Sequence, residues 1–400
     1  MTATTGAKRS ARPAAKPHPA GLAERLWLVP LSDVEIDEEI EAAVQAVVRS
    51  GWWSMGPKVA EFEHEFARFC GSKHAFAVSN GTAALHLALL ATGCGPGDEV
   101  VVPSLTFVAA ANSIAHSGAT PVFCDIEGAD DLTLSPADLE RVIGPATRAV
   151  IVMHYGGHPC QMEAILDIAR RRGLAVIEDA AHAPGASWRG RMCGTIGDVG
   201  CFSFFSHKNL PTGEGGMVVT DDDAIAARIR LLRSHGMTTL TWDRHRGHAH
   251  SYDVVLPGFN YRLDEIRASI GLVELGRLEQ KNADRARLVA FYRAALDGAN
   301  GLSMPFPAKE GVIPSHHLAV LVLPERCSRE DFRASLASRG IQTSVHYPPV
   351  HTFSAYQRLG SRRPLPVTRA IASRLVTLPL YPHMSDTDAL AVTNAVFAAT

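Results

Sequence analysis

Residues 149–181 read AVIVMHYGGHPCQMEAILDIARRRGLAVIEDAA, and this stretch decides the fold. AVIVM is a short run of β-branched and apolar residues, MEAILDIARRRG has the spacing of an amphipathic helix, and LAVIEDAA opens on a second apolar run. Two fully apolar strands joined by a helix are the signature of a crossover unit with its sheet buried on both faces.

The same alternation extends from about residue 75 to 220. Toward the N-terminus lie the strand-like HAFAVS (74–79), the helical NGTAALHLALLATG (80–93), the strands DEVVVPS (98–104) and TPVFCDI (120–126), and the helical ADLERVIG (137–144). Toward the C-terminus come VGCFSFF (199–205) and GMVVTDD (216–222). The expected fold is α/β, a mostly parallel sheet of the seven-stranded type flanked by helices. Ligands of such sheets bind beyond the carboxyl ends of the strands, so functional residues are sought there. After residue 220 the pattern changes to a helix (223–236), a polar His- and Arg-rich stretch, and a long helical region (263–298). Beyond it strands (HHLAVLVL, QTSVHY) mix with helices (REDFRASLASRG, DTDALAVTNAVFAA). The expected division is a disordered basic tail (1–26), a large α/β domain (27–260), and a linking helix with a small α+β domain (261–400).

The bulk properties bound the function classes. The chain has 400 residues, 46% of them hydrophobic, and a formal net charge of −2, which points to neither nucleic acid nor an acidic membrane surface. Its seven cysteines contain no C-x-x-C pair and lie mostly in apolar runs, the pattern of buried free thiols in a reducing compartment rather than a metal or redox site. The N-terminal stretch carries Lys8, Arg9, Arg12 and Lys16 without a hydrophobic segment, and no apolar run has membrane-spanning length. A cytoplasmic location is expected.

At the strand ends four features stand out. Ser79-Asn80-Gly81-Thr82 opens a helix directly after a strand. It is a ready anion site, though a plain helix cap would use the same residues. Phe107 follows the next strand, where an aromatic can stack on a flat ring or pack into the core. Glu178 and Asp179 end a fully apolar strand, where a carboxylate needs a cation to answer it. A protonated pyridine nitrogen would serve Asp179, with His182 beside a ring hydroxyl; a helix-capping acid is the plain alternative. Lys208 follows VGCFSFF and precedes the Gly-rich TGEGG. An amine desolvated at that point loses pKa and becomes free to attack a carbonyl. Ser203 or Ser206 could donate to a phosphate. Each feature is weak alone. Together, in chain order, they describe a pocket for pyridoxal 5′-phosphate (PLP).

The sequence resembles the DegT/StrS-type sugar aminotransferases, a branch of the fold-type I PLP enzymes. The resemblance is carried by GWWSMGPKVAEFE (51–63), VSNGTAALHLAL (78–89), PSLTFVAAANSI (103–114), VIEDAAHAPGA (176–186), GDVGCFSFFSHKNLPTGEGGMVVTDD (197–222) and GFNYRLDEIRASIGLVEL (258–275), among blocks spanning roughly residues 30 to 390. It implies Lys208 as the Schiff-base lysine and Asp179 as the acid at the pyridine nitrogen. His182 takes the place beside the ring hydroxyl, often Gln in relatives, and Phe107 that of the stacking aromatic. Gly81, Thr82 and Ser203 match phosphate contacts. Asn260 matches an asparagine that reaches the phosphate of the neighbouring subunit, so a homodimer with shared active sites is implied.

The implied reaction moves an amino group from an amino acid, L-glutamate being expected, to a nucleotide-linked keto sugar in amino-sugar or antibiotic biosynthesis. Three alternatives accompany it: a keto-cyclitol as acceptor, a sugar dehydratase, and a non-catalytic regulatory homologue. Some family members carry histidine in the lysine slot and dehydrate, and His207 precedes Lys208 here. The distance to TGEGG and the Lys208-Asn209 pair assign the slot to Lys208. Intact Lys208 and Asp179 argue against the regulator. Candidate substrate residues are Arg244 and Arg246, with His245, His248 and His250 beside them, and His346, Tyr347 and His351. No metal site is expected.

Overall fold

The computed structural model describes residues 27–239, 241–247, 251–359 and 363–400. The expected tail (1–26) lies outside these, as do His248 and His250.

Two helices come first, α1 (Glu38–Ser50) and α2 (Pro57–Cys70). The alternation then begins with β1 (His74–Val78), α3 (Gly81–Ala91), β2 (Glu99–Pro103), α4 (Ala109–His116), β3 (Thr120–Cys124) and α5 (Pro136–Val142). It continues through β4 (Thr147–Met153), α6 (Met162–Arg172) and β5 (Ala175–Asp179). A small hairpin, β6 (Ser187–Trp188) and β7 (Arg191–Met192), precedes β8 (Val199–Ser203), β9 (Gly216–Thr220) and α7 (Asp223–Leu232). The central sheet has seven strands in the order β1-β9-β8-β5-β4-β2-β3. Only β9 runs against its neighbours, pairing antiparallel with β1 and β8; the remaining pairings are parallel.

Strand side chains alternate between two cores, as the period of two requires. On β4, Val150 and Val152 join the core beneath α2 and α6, while Ala149 and Ile151 face that of α3 and α4. All of these are fully buried, which is why the strands read as continuous apolar runs. Six cysteines are buried and free within these layers, with Cys327 partly exposed.

A short helix, α8 (Thr241–His245), leads to α9 (Glu265–Leu296). At 32 residues α9 is about 48 Å long. Its Asp264 cap accepts the Arg267 N–H. Ala268 and Leu278 pack into the first core, while Leu288, Tyr292 and Leu296 pack into another. This other core gathers around an antiparallel pair, β11 (Ala319–Val322) with β12 (Leu375–Leu378), and helices 329–338 and 386–397. A two-residue strand, β10 (Val312–Ile313), extends the small hairpin. The strand expected over QTSVHY does not form: only Ser344 bridges Thr377. Pro348 and Pro349 follow directly, and proline supplies no N–H for a ladder and constrains the residue before it. Among the described residues no helix is long and apolar enough to cross a membrane.

Candidate active site

The carboxyl ends of β1, β5 and β8 meet at one edge of the sheet, and a cavity of about 690 Å³ opens there. Its first wall is the turn after β1. The Asn80 side chain accepts the Ala83 N–H at 2.8 Å, and its carbonyl accepts the Ala84 N–H at 3.2 Å. The N–H groups of Gly81 and Thr82 precede the first helical bond, so the helix leaves them for a ligand. A Cβ on Gly81 would lie 2.8 Å from the Ser203 Cβ, and one on Gly216 would lie 2.7 Å from the Asn80 carbonyl carbon. Glycine at both positions therefore lets the turn, the end of β8 and the start of β9 close into a cradle beside the Thr82 and Ser203 side chains.

The second wall is the end of β5, where adjacent carboxylates take opposite faces. Glu178 is fully buried and points away from the cavity. It accepts N–H bonds from Gly194 (2.8 Å), Ile196 (2.6 Å) and Gly197 (2.5 Å), and lies 2.8 Å from His154 Nε2. Since His154 Nδ1 accepts the Cys160 N–H at 3.1 Å, the neutral ring carries its proton on Nε2 and donates it to Glu178. Asp179 lines the cavity instead, and among the described residues its carboxylate accepts one hydrogen bond, from the Ala181 N–H at 3.1 Å. Burial pushes its carboxyl upward, against the pull of that N–H and of the Lys208 charge.

Lys208 closes the third side. Beyond β8 the chain sends Phe204 into the core and leaves Phe205 exposed, then turns so that the Lys208 N–H donates to the Phe205 carbonyl at 2.8 Å. Part of the Lys208 surface opens onto the cavity, while the surrounding protein strips it of water. Burial pulls the amine down to about 8, opposed by Asp179. Its neighbour His207 sits at the rim, edge-on to Phe205.

Eleven of the residues singled out in the sequence line this one cavity: Asn80, Gly81, Thr82, Phe107, Asp179, His182, Ser203, His207, Lys208, His346 and Tyr347. Phe107 is 53% exposed, an open aromatic face above the floor. His182 is buried, with Nε2 2.9 Å from the Tyr347 hydroxyl. Four others lie elsewhere. Asn260 is exposed on this chain and bridges Ser234 through its backbone. Arg244 packs over Tyr252 and Arg246 near Trp242, outside the cavity lining. His351 is tied to Ser104 at 2.6 Å, also outside the lining.

The sequence reading overlooked His317 and the His154–Glu178 pair. Asn209 donates to the Ser315 carbonyl and to Asn282 Oδ1, both at 2.8 Å, which leaves its Oδ1 to accept from His317 Nδ1 at 2.9 Å. His317 also lines the cavity, its ring 4.3 Å from that of His182. The repeated His-His of 316–317 was the available signal.

The family model of the DegT/DnrJ/EryC1/StrS aminotransferases matches residues 34–397. The chain belongs to that family. It is 42% identical, over 93% of its length and 97% of the relative's, to the spore coat polysaccharide biosynthesis protein SpsC of Bacillus subtilis. Among solved structures it is similar to S. venezuelae DesV in complex with a ketimine intermediate, at 39% identity and a TM-score of 0.85, covering 92% of this chain and 97% of that one. The PLP form of the sugar aminotransferase Spr1654 from Streptococcus pneumoniae matches at 29% identity and a TM-score of 0.86, over 93% and 98% of the two chains. The protein is a fold-type I, PLP-dependent aminotransferase of the sugar-aminotransferase family. The cavity fits that cofactor: a cradle of unpaired N–H groups for a phosphate, a buried carboxylate short of partners for a ring cation, and a desolvated amine for an aldehyde.

Proposed function

We propose that this protein transfers the amino group of L-glutamate to the keto group of a nucleotide-linked sugar, as a cytoplasmic homodimer with shared active sites. The observation that carries the proposal is the convergence of the Lys208 amine, the Asp179 carboxylate and the Gly81–Thr82 turn on one cavity. The name of the Bacillus relative supports a sugar destined for a polymer, and sugars are activated for such transfer by a nucleotide.

When bound, PLP supplies an electron-accepting ring conjugated to an aldehyde carbon. Gly81, Thr82 and Ser203 would hold its phosphate, and Phe107 would cover its ring. Asp179 would keep the proton on the ring nitrogen, its burial making that pairing stronger than in water. Lys208 would take the proton from the donor's Cα and deliver it on the opposite leg to the acceptor carbon, a task suited to an amine poised near neutrality. Asn260, outside its own chain's cavity, is assigned to the phosphate of the partner. His346 stays neutral because burial pulls it down to about 4, and with Tyr347 it offers polar atoms to the sugar side.

The test is a half-reaction screen. The pyridoxamine form is offered nucleotide keto sugars and keto-cyclitols while absorbance near ~420 nm, the band of the loaded lysine, is followed. Return of the band with nucleotide keto sugars supports the proposal. Return with cyclitols alone would replace the acceptor, and no return with either would remove the reading.

A further inference from the structure

The segment from Ser344 to His351 crosses from the small β11–β12 sheet to the central sheet, and the protein fastens it at both ends. At its start Ser344 exchanges two backbone hydrogen bonds with Thr377 of β12, at 3.1 and 2.9 Å, and the His346 ring meets Thr377 Oγ1 at 2.8 Å. At its finish the Val350 N–H donates to the Ser104 carbonyl at 2.9 Å, and the His351 N–H to Ser104 Oγ at 3.3 Å. Tyr347 lies between these anchors, with its ring 5.7 Å from that of Phe107. Phe107 is carried by the chain that leaves β2 through Ser104. Ser104 therefore joins the roots of two cavity walls.

The His351 side chain completes the second anchor. Arg369 Nε lies 3.3 Å from His351 Nε2, and a guanidinium only donates, so Nε2 accepts and the neutral ring keeps its hydrogen on Nδ1. That Nδ1 is 2.6 Å from Ser104 Oγ and donates to it. The ring packs beside buried Phe123 of β3, centroids 6.4 Å apart. Arg369 is held in reach by its own helix, Pro366–Ala372, whose first turn is fixed to Asp125 just after β3. Asp125 accepts the N–H groups of Val367 and Thr368, at 3.1 and 2.7 Å, and the Thr368 hydroxyl at 2.6 Å. Ser104, His351 and Arg369 all lie outside the cavity lining. We infer that His351 is a positioning residue: by clamping Ser104 it sets the spacing between Tyr347 and Phe107, and with it the width of the cavity on the side that admits the keto substrate. This rests on the reading above, in which Phe107 covers the cofactor ring and Tyr347 faces the sugar. The sequence set His351 among the substrate contacts; its geometry gives it another duty. A wall that slips weakens the binding of a bulky substrate before it touches the chemistry at Lys208.

The test is a double-mutant cycle on His351→Leu and Ser104→Ala in the PLP-loaded enzyme. Each single variant should raise the KM of the keto acceptor about fivefold to tenfold with kcat within about threefold. The combined variant should be no worse than either alone, because both changes remove the same bond. His351→Asn, whose amide can still reach Ser104 Oγ, should recover most of the loss. Should Ser104→Ala fail to fold, Arg369→Met at the exposed end of the clamp takes its place in the cycle, with a smaller effect. Additive effects, or a raised KM in His351→Leu with Ser104→Ala at the wild-type value, would overturn the inference and make His351 a substrate contact. Backbone amide exchange over residues 344–353 needs no substrate. It should quicken about tenfold in His351→Leu and in Ser104→Ala and stay near the wild-type rate in His351→Asn. Unchanged exchange in the first two would overturn the clamp whatever the acceptor. KM is read with whichever keto compound restores the ~420 nm band. A failed acceptor reading is thereby told apart: it removes the KM arm and leaves the exchange arm to decide the clamp.

Discussion

Glu178 and Asp179 are neighbours at the end of one strand, share one chemistry, and have opposite duties. Glu178 turns inward and is saturated: three backbone N–H groups and a histidine donate to it, and they fix the 194–197 turn that precedes β8. Asp179 faces the cavity with a single N–H partner and a lysine sharing its space. A carboxylate whose hydrogen bonds are complete can only support structure. One that is buried and under-coordinated stores an interaction for a ligand, which is the condition PLP's ring nitrogen requires.

The contrast can be broken from either side. The largest effect belongs to the cavity: Lys208→Ala should lower turnover by roughly 10⁴-fold with the thermal midpoint preserved, while His207→Ala should lose no more than about tenfold. The reverse pattern in steady-state kinetics would exchange the roles of the two neighbours. Next comes Asp179→Asn, with kcat reduced about 10²- to 10³-fold and stability almost unchanged, since the asparagine Oδ1 can keep the Ala181 N–H. Glu178→Gln should act the other way. Its amide would set donors against donors, costing about 3 kcal/mol in urea unfolding, while activity per folded molecule stays within a few-fold.

The smallest effect is a matter of pH. Because burial lowers the Lys208 amine from its ordinary value to about 8, its neutral form gains population as pH rises through that value. In protein stripped of cofactor, the rate of PLP capture should climb between pH 7 and 9 with a midpoint near 8 and level off above. A midpoint near the solution value for lysine would show that the amine is not desolvated.

Much of this was legible in the sequence because burial on both faces writes itself as unbroken apolar runs. β4, α6 and β5 follow from residues 149–179 directly. The Lys208, Asp179 and Gly81–Thr82 positions were legible for the same reason, as polar residues stranded at the ends of apolar strands. Glu178 shows where sequence stops. It satisfies the same criterion as Asp179, and only the pleat, which sends alternate side chains to opposite faces, separates them. His317 was hidden because its part depends on Asn209, 108 positions away in sequence, fixing its tautomer. Arg244 and Arg246 stand out by charge, and their packing over Tyr252 and near Trp242, outside this chain's cavity lining, is what charge counting does not foresee.

The most direct test of the division between the two carboxylates is single-turnover bleaching of the ~420 nm band by L-glutamate, followed in the PLP-loaded wild type, Asp179→Asn and Glu178→Gln proteins. The wild type should bleach rapidly, the folded fraction of Glu178→Gln similarly, and Asp179→Asn about 10²-fold more slowly or worse. A wild-type band that glutamate leaves intact, or an Asp179→Asn protein that bleaches at the wild-type rate, would contradict it.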